Sequence, residues 1–173
     1  MALYQLFNGP MATTAGQAAV TTGTAIKTML QVKGGANING TFKVTEWGIS
    51  FDGAAAATPI KCELLTTGTV GATITEFVAA DIINLTDPNA AAVTDDNPFA
   101  FTAAGDESGY TATAEGSITA TRQFDAEFVA PTNQYVKQWP LGREPTFKAT
   151  EFLRIRVTAG TAVNCICYVN IEV

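Results

Sequence analysis

The hydrophobic positions of this chain recur mostly at a spacing of two, and Thr, Val, Ile and Phe carry them. Such alternation in β-branched and aromatic residues suits a pleated surface buried on one side. The first clear segment sets Ile26, Thr28, Leu30 and Val32 against Ala25, Lys27, Met29 and Gln31, and stops at Gly34-Gly35. A second runs from Thr41 to Phe51, with Trp47, Ile49 and Phe51 on one face and the turn pair Asp52-Gly53 after it. A third places Ile60, Cys62 and Leu64 together. Later, Ile118, Ala120, Arg122, Phe124, Ala126 and Phe128 share a face, and Pro131, Pro140 and Pro145 confine Tyr135 to Trp139 to a short strand or irregular segment. Leu153, Ile155 and Val157 alternate with Phe152, Arg154 and Arg156. After Ala159-Gly160 the pattern resumes from Val163 to Val173, which predicts a hairpin that closes the chain.

Two segments depart from this rhythm. Between Ile74 and Leu85 the helical spacing of Ile74, Phe77, Val78 and Ile82 competes, which predicts a short helix or turn. Thr86 to Gly109 is rich in turn chemistry, such as Asp87-Pro88 and Asn97-Pro98. It is too long for an idle connection, so it is expected either to be mobile or to engage a partner.

About seven or eight short strands joined by Gly, Pro and Asp turns, without βαβ alternation, predict an all-β fold. The expected architecture is a β-sandwich of the jelly-roll type, formed by residues 24–173. Residues 1–23 are expected to be an extended N-terminal arm. Its tip carries Leu3, Tyr4, Leu6 and Phe7 before Asn8-Gly9-Pro10 and a Thr/Ala-rich tract. Docking on a neighbouring subunit would relieve the cost of that apolar tip in water. Leu3, Tyr4, Leu6, Phe7 and Pro10 are therefore the candidate partner-binding residues; a strand added to the parent sheet is the alternative.

Composition narrows the chemistry. The 173 residues are 47% hydrophobic and only 15% charged, against about a quarter charged in an ordinary domain. There is no histidine, which removes Ser-His-Asp and Cys-His nucleophiles, HExxH zinc sites and facial-triad iron. No phosphate-binding glycine motif is present, so no cofactor is expected. Catalysis is not expected either. A glycoside hydrolase needs only two carboxylates, but the adjacent pairs Asp95-Asp96 and Asp106-Glu107 face opposite ways on a strand. Cys62, Cys165 and Cys167 lack zinc spacing and read as small buried hydrophobes.

A net charge of −6 without a basic cluster argues against nucleic acid. From Cys62 to Thr121 there is no Lys or Arg beside nine acids, which reads as a set of solvated loops or, alternatively, a surface for a basic partner or divalent cation. Tyr110, Tyr135 and Trp139 lie in loop-like context, where they offer a stacking surface or, for Trp139, a plug at one end of the sandwich. No apolar run approaches the roughly 20 residues of a membrane span, and Met1 to Pro10 lacks the features of a signal peptide, so no membrane partner and synthesis in a cytoplasm are expected.

Thr24 to Val32, Trp47 to Gly53 and Pro59 to Leu65 together resemble the front half of a family of small β-rich proteins of tailed bacteriophages. Leu153 to Tyr168 resembles the final hairpin of the same family, so that the likeness covers about half of the chain. The resemblance implies a virion structural protein on the capsid surface, a decoration or cement protein. It implies as partners the major capsid protein and further copies of the chain in a homotrimer. The alternative is a receptor- or carbohydrate-binding virion module, such as a fibre head domain.

Overall fold

The computed structural model describes residues 2–35, 40–54, 58–87, 98–100 and 107–173. Among them the chain forms β1 (Leu3–Phe7), β2 (Val20–Thr21), β3 (Ile26–Val32), β4 (Thr41–Phe51), β5 (Ile60–Thr67), β6 (Thr73–Glu76) and β7 (Ile83–Asn84). It continues as β8 (Gly109–Ala114), β9 (Ala120–Val129), β10 (Gln134–Gln138), β11 (Thr146–Lys148), β12 (Phe152–Thr158) and β13 (Asn164–Glu172). A single 3-10 turn, Ala79–Asp81, lies between β6 and β7.

These strands form two antiparallel sheets that pack as a β-sandwich. The first has the order β10-β4-β13-β1-β7, with β11 also on β4 and β2 also on β13; the second has the order β6-β8-β3-β12-β5-β9. Eight of the strands, β1, β3, β4, β5, β9, β10, β12 and β13, can be numbered one to eight along the chain. In those terms the sheets read one-eight-three-six and two-seven-four-five. The core lies between them, where Trp47, Ile49, Cys167 and Val169 from one sheet meet Leu30, Leu64, Ile155 and Val157 from the other. The alternation of β4 and β5 predicts this burial, but on β3 it holds only for Leu30 and Val32: an irregularity of register against β12 brings Met29 into the core, turns Thr28 to Glu115 and leaves Ile26 exposed. All three thiols are buried and free.

Four further expectations change. The closing hairpin is absent: β12 pairs with β3 and β5, whereas β13 pairs with β1, β2 and β4. Both segments are central strands, and the Ala159-Gly160 turn carries the chain from one sheet to the other. The supposed helical stretch divides into β6, the 3-10 turn and β7, with Phe77 and Ile82 buried but Val78 exposed. On β9 the side chain directed at Trp47 is Asp125, while Phe128 is 72% exposed. Two irregularities of register against β5 break the simple alternation of this strand, as bulges do at sheet edges. The fourth concerns residues 1–23, which are no separate arm because β1 and β2 both join the first sheet.

The outer face of the second sheet is itself covered. Arg154, fully buried, donates from Nη1 to the carbonyls of Glu115 (3.0 Å) and Ser117 (3.1 Å) and from Nη2 to that of Val70 (2.9 Å). Glu115 in turn accepts from the backbone N–H and the hydroxyl of Thr28, both at 2.6 Å. Gln31 donates to the Glu107 carbonyl and accepts from the Ala72 N–H. A strap of loop thus crosses strands β3 and β12 and leaves the first sheet as the one with an open outer face.

Candidate functional site

The five residues expected to bind a partner have a different placement. Leu6 is fully buried and Tyr4 nearly so, with the Tyr4 ring edge-on to Phe99 in the core. β1 pairs with β13 over its whole length, Leu3 opposite Glu172 and Phe7 opposite Tyr168. Asn8 then extends the ladder with its side chain: Oδ1 accepts from the Cys167 N–H at 2.9 Å and Nδ2 donates to the Cys165 carbonyl at 3.1 Å. The apolar tip is therefore covered by the parent sheet. The alternation in Leu3–Phe7 was the signal for it. Pro10 alone of the five is exposed, beside Met11, whose N–H donates to Asp81.

The other candidates are mostly structural. Tyr135 and Trp139 pack against the core, the former edge-on to Trp47, and Tyr110 tilts against Phe77. Of the nine acids, Glu63 is buried between Lys61 and Arg156 and Asp81 is buried under backbone N–H donors, so these two are not part of a solvated set, whereas Glu76 and Asp87 are exposed. Asp95, Asp96, Asp106 and most of the Thr86 to Gly109 excursion lie outside the described residues. The part of it that is described folds back, with Phe99 bridging to Gly34 and buried in the core.

Among the described residues no three His, Cys, Asp or Glu side chains converge as metal ligands. Burial pushes the Cys62 and Cys165 thiols up to about 12, and Cys167 rises as well. At neutral pH all three are protonated and poor nucleophiles. Among the described residues no helix is long and apolar enough to cross a membrane.

The open face of the first sheet carries the more distinctive arrangement. Reading the register across β10, β4, β13 and β1, Gln138 stands opposite Glu46, Glu46 opposite Asn170, and Asn170 opposite Gln5. Two residues along, Val136 stands opposite Gly48, Gly48 opposite Tyr168, and Tyr168 opposite Phe7. A polar row and an apolar row thus run side by side across four strands. The Tyr168 ring lies over Gly48, where a Cβ would sit 2.6 Å from Cε1, and Phe7 tilts against it at 5.8 Å. The Tyr168 hydroxyl donates to Glu46 Oε1 at 2.5 Å. Burial first, then that bond and the charge of Glu46, raise the phenol above its ordinary value. Beside these rows an open groove of about 370 Å³ is lined by Leu3, Thr45, Glu46, Gln138 and Asn170 among others, and the Lys43–Glu172 ion pair lies at its margin.

A second exposed feature sits at the sheet edge. After β10 the chain leaves β4 at Trp139 and returns at Pro145, held by backbone bonds to Thr45 and Val44. The turn between them has Gly142 at φ +81° and Leu141 at its tip, 95% exposed. Only glycine takes that φ readily, and proline suits the start of such a turn.

No protein family, curated protein or solved structure matches this chain. Sequence reasoning missed the facing rows because they depend on register between strands far apart in the chain. The glycine at position 48 in the middle of an otherwise bulky strand was the one available hint.

Proposed function

We propose that this chain is a structural protein of a tailed-bacteriophage virion, a decoration protein that binds the outside of the head and stabilises the shell without covalent bonds. The observation that carries the reading is the strand order one-eight-three-six against two-seven-four-five. It supports a jelly roll, an architecture common among capsid and lectin domains. Among the described residues, the carboxylates of Glu63, Asp81, Glu115 and Asp125 are engaged within the fold, where they hold strands and loops together.

The major capsid protein and further copies of the chain, in a homotrimer, are the proposed partners, and the capsid surface is the proposed location. Leu141 on its projecting turn is the proposed anchor on the shell. Contacts that are individually weak become strong when copies repeat over a symmetric surface.

The test is to add the purified chain to purified heads that lack it and to measure bound copies by quantitative mass spectrometry. Saturable occupancy in fixed ratio to the major capsid protein is expected. Leu141→Asp is expected to lower it while leaving thermal unfolding unchanged. Absence of the chain from purified particles would overturn the reading.

A further inference from the structure

We propose that the open face of the seven-stranded sheet is a carbohydrate-binding site for a neutral oligosaccharide laid across the strands. The inference does not depend on attachment to a capsid.

The chemistry of the two rows carries it. A sugar ring has an apolar face of C–H groups and an edge of hydroxyls that both donate and accept. The row of Val136, Gly48, Tyr168 and Phe7 offers an apolar floor, and the Tyr168 ring comes close over Gly48 because Gly48 has no side chain to hold it off. The parallel row consists of two glutamines, an asparagine and a glutamate. Each ends in a planar amide or carboxylate that can engage two neighbouring hydroxyls. The rows are two residues apart, about 6.6 Å, and the four strands span about 14 Å. These are the width of one sugar ring and the length of a short oligosaccharide.

One detail prepares a polar group on this face for a ligand. Glu46 is fixed through Oε1 by the Tyr168 hydroxyl, which orients the carboxylate at the groove. Charge selects the ligand class. Lys43 and Glu172 neutralise each other at 3.2 Å, which leaves Glu46 as the uncompensated charge lining the groove among the described residues. An acidic glycan would be repelled, whereas a neutral one supplies hydroxyl donors to the carboxylate. A protein surface would have to match the hydrogen-bonding demands of an entire polar row, which a polyol meets directly.

The experiment uses the full chain. A glycan array of neutral and acidic oligosaccharides selects probes, and each neutral hit is titrated into isotope-labelled protein by NMR. Maltotriose, cellotriose and N,N′,N″-triacetylchitotriose are titrated in every case, to about 10 mM, above the millimolar constants of a shallow site. Saturable shifts confined to β1, β4, β10 and β13 are expected. Glu46→Gln and Gln138→Ala are each expected to weaken binding about tenfold, Gln138→Ala with unchanged thermal unfolding. Tyr168→Phe, which keeps the ring but frees Glu46, is expected to weaken it less.

Three results would overturn the site: no saturable binding of any neutral saccharide, shifts that map elsewhere, or both substitutions leaving affinity unchanged. Preference for acidic glycans would overturn the assignment of ligand class. If the same substitutions abolished head binding and no sugar bound, the face would be a shell contact and this inference would fail while the capsid reading stood. Sugar binding by a chain that never occupies heads would uphold this inference and overturn the capsid reading.

Discussion

The indole Nε1 of Trp47, at the centre of the first sheet, donates to Oδ2 of Asp125 on the edge strand of the second at 3.0 Å. The same oxygen accepts from the Tyr135 hydroxyl on β10 at 2.9 Å. One carboxylate oxygen therefore links the two sheets at the side where β9 and β10 are the terminal strands. Because Trp47 is fully buried, its N–H has no water to turn to if Asp125 is lost. Asp125→Ala is expected to destabilise the fold by about 2–4 kcal/mol, from one buried donor and one partly solvated donor left without an acceptor. Asp125→Asn keeps an acceptor and is expected to cost roughly half as much. Urea unfolding followed by Trp47 fluorescence measures both; equal stability of wild type and Asp125→Ala would refute the role.

Tyr135 and Tyr168 each donate to a carboxylate, and burial together with that bond raises both phenols above their ordinary value. Tyr110 is raised as well, chiefly by burial. A group whose folded pKa exceeds its unfolded one holds its proton more tightly in the fold. Its contribution to stability is complete below the unfolded value of about 10 and is lost as pH rises beyond it. An alkaline titration read by tyrosinate absorbance is expected to show Tyr110, Tyr135 and Tyr168 ionising late and together with unfolding. Ionisation of these three near pH 10, with circular dichroism still native, would contradict this.

Much of the sandwich was legible in the chain because each sheet is buried on its inner face, where side-chain period and burial coincide. β4 appears at the boundaries its alternation predicts, and Cys62, Cys165 and Cys167 are core residues as expected. Pairing was not legible. The turn at Ala159-Gly160 looks like a hairpin turn, and only the competition of β3 and β5 for β12 decides otherwise. Likewise Leu3–Phe7 is apolar whether it docks in its own sheet or elsewhere; the open edge of β13 settles the choice. The candidate site was the least visible part, since Tyr168 and Gly48 are 120 positions apart and meet only through register.

Arg154 stands on the face of β12 opposite to Leu153, Ile155 and Val157, and that face is covered as well. Its guanidinium is fully buried and meets three carbonyls of the strap. Burial lowers its pKa to about 10, so it stays charged at neutral pH. Arg154→Met would leave those carbonyls and the nearby Glu115 without their cation, at an expected cost of about 3–5 kcal/mol. Arg154→Lys restores charge but not the planar fork and is expected to recover only part of it. The diagnostic readout is limited proteolysis: cleavage at residues 115–118 is expected in both variants before global unfolding. Protection equal to wild type in Arg154→Met would show that the strap is held by other contacts.

Deleting residues 1–10 looks like a clean removal of a docking arm, but the structure predicts a folding defect. Tyr4 and Leu6 fill the core, and full burial of such side chains contributes about 1.5–3 kcal/mol each. The deletion would also strip β13 of its neighbour along Tyr168 to Glu172 and remove the Asn8 amide from the Cys165 and Cys167 backbone. Domains of this size have roughly 5–15 kcal/mol in total, so the truncated chain is expected to unfold at much lower denaturant or to fail to fold. Pro10→Ser and Met11→Ser alter exposed side chains only, and are expected to stay within about 0.5 kcal/mol of wild type. A truncated chain with an unchanged urea midpoint would restore the independent arm. A large loss, with both point variants intact, would mean that any loss of head binding on deletion reports the fold and not a contact.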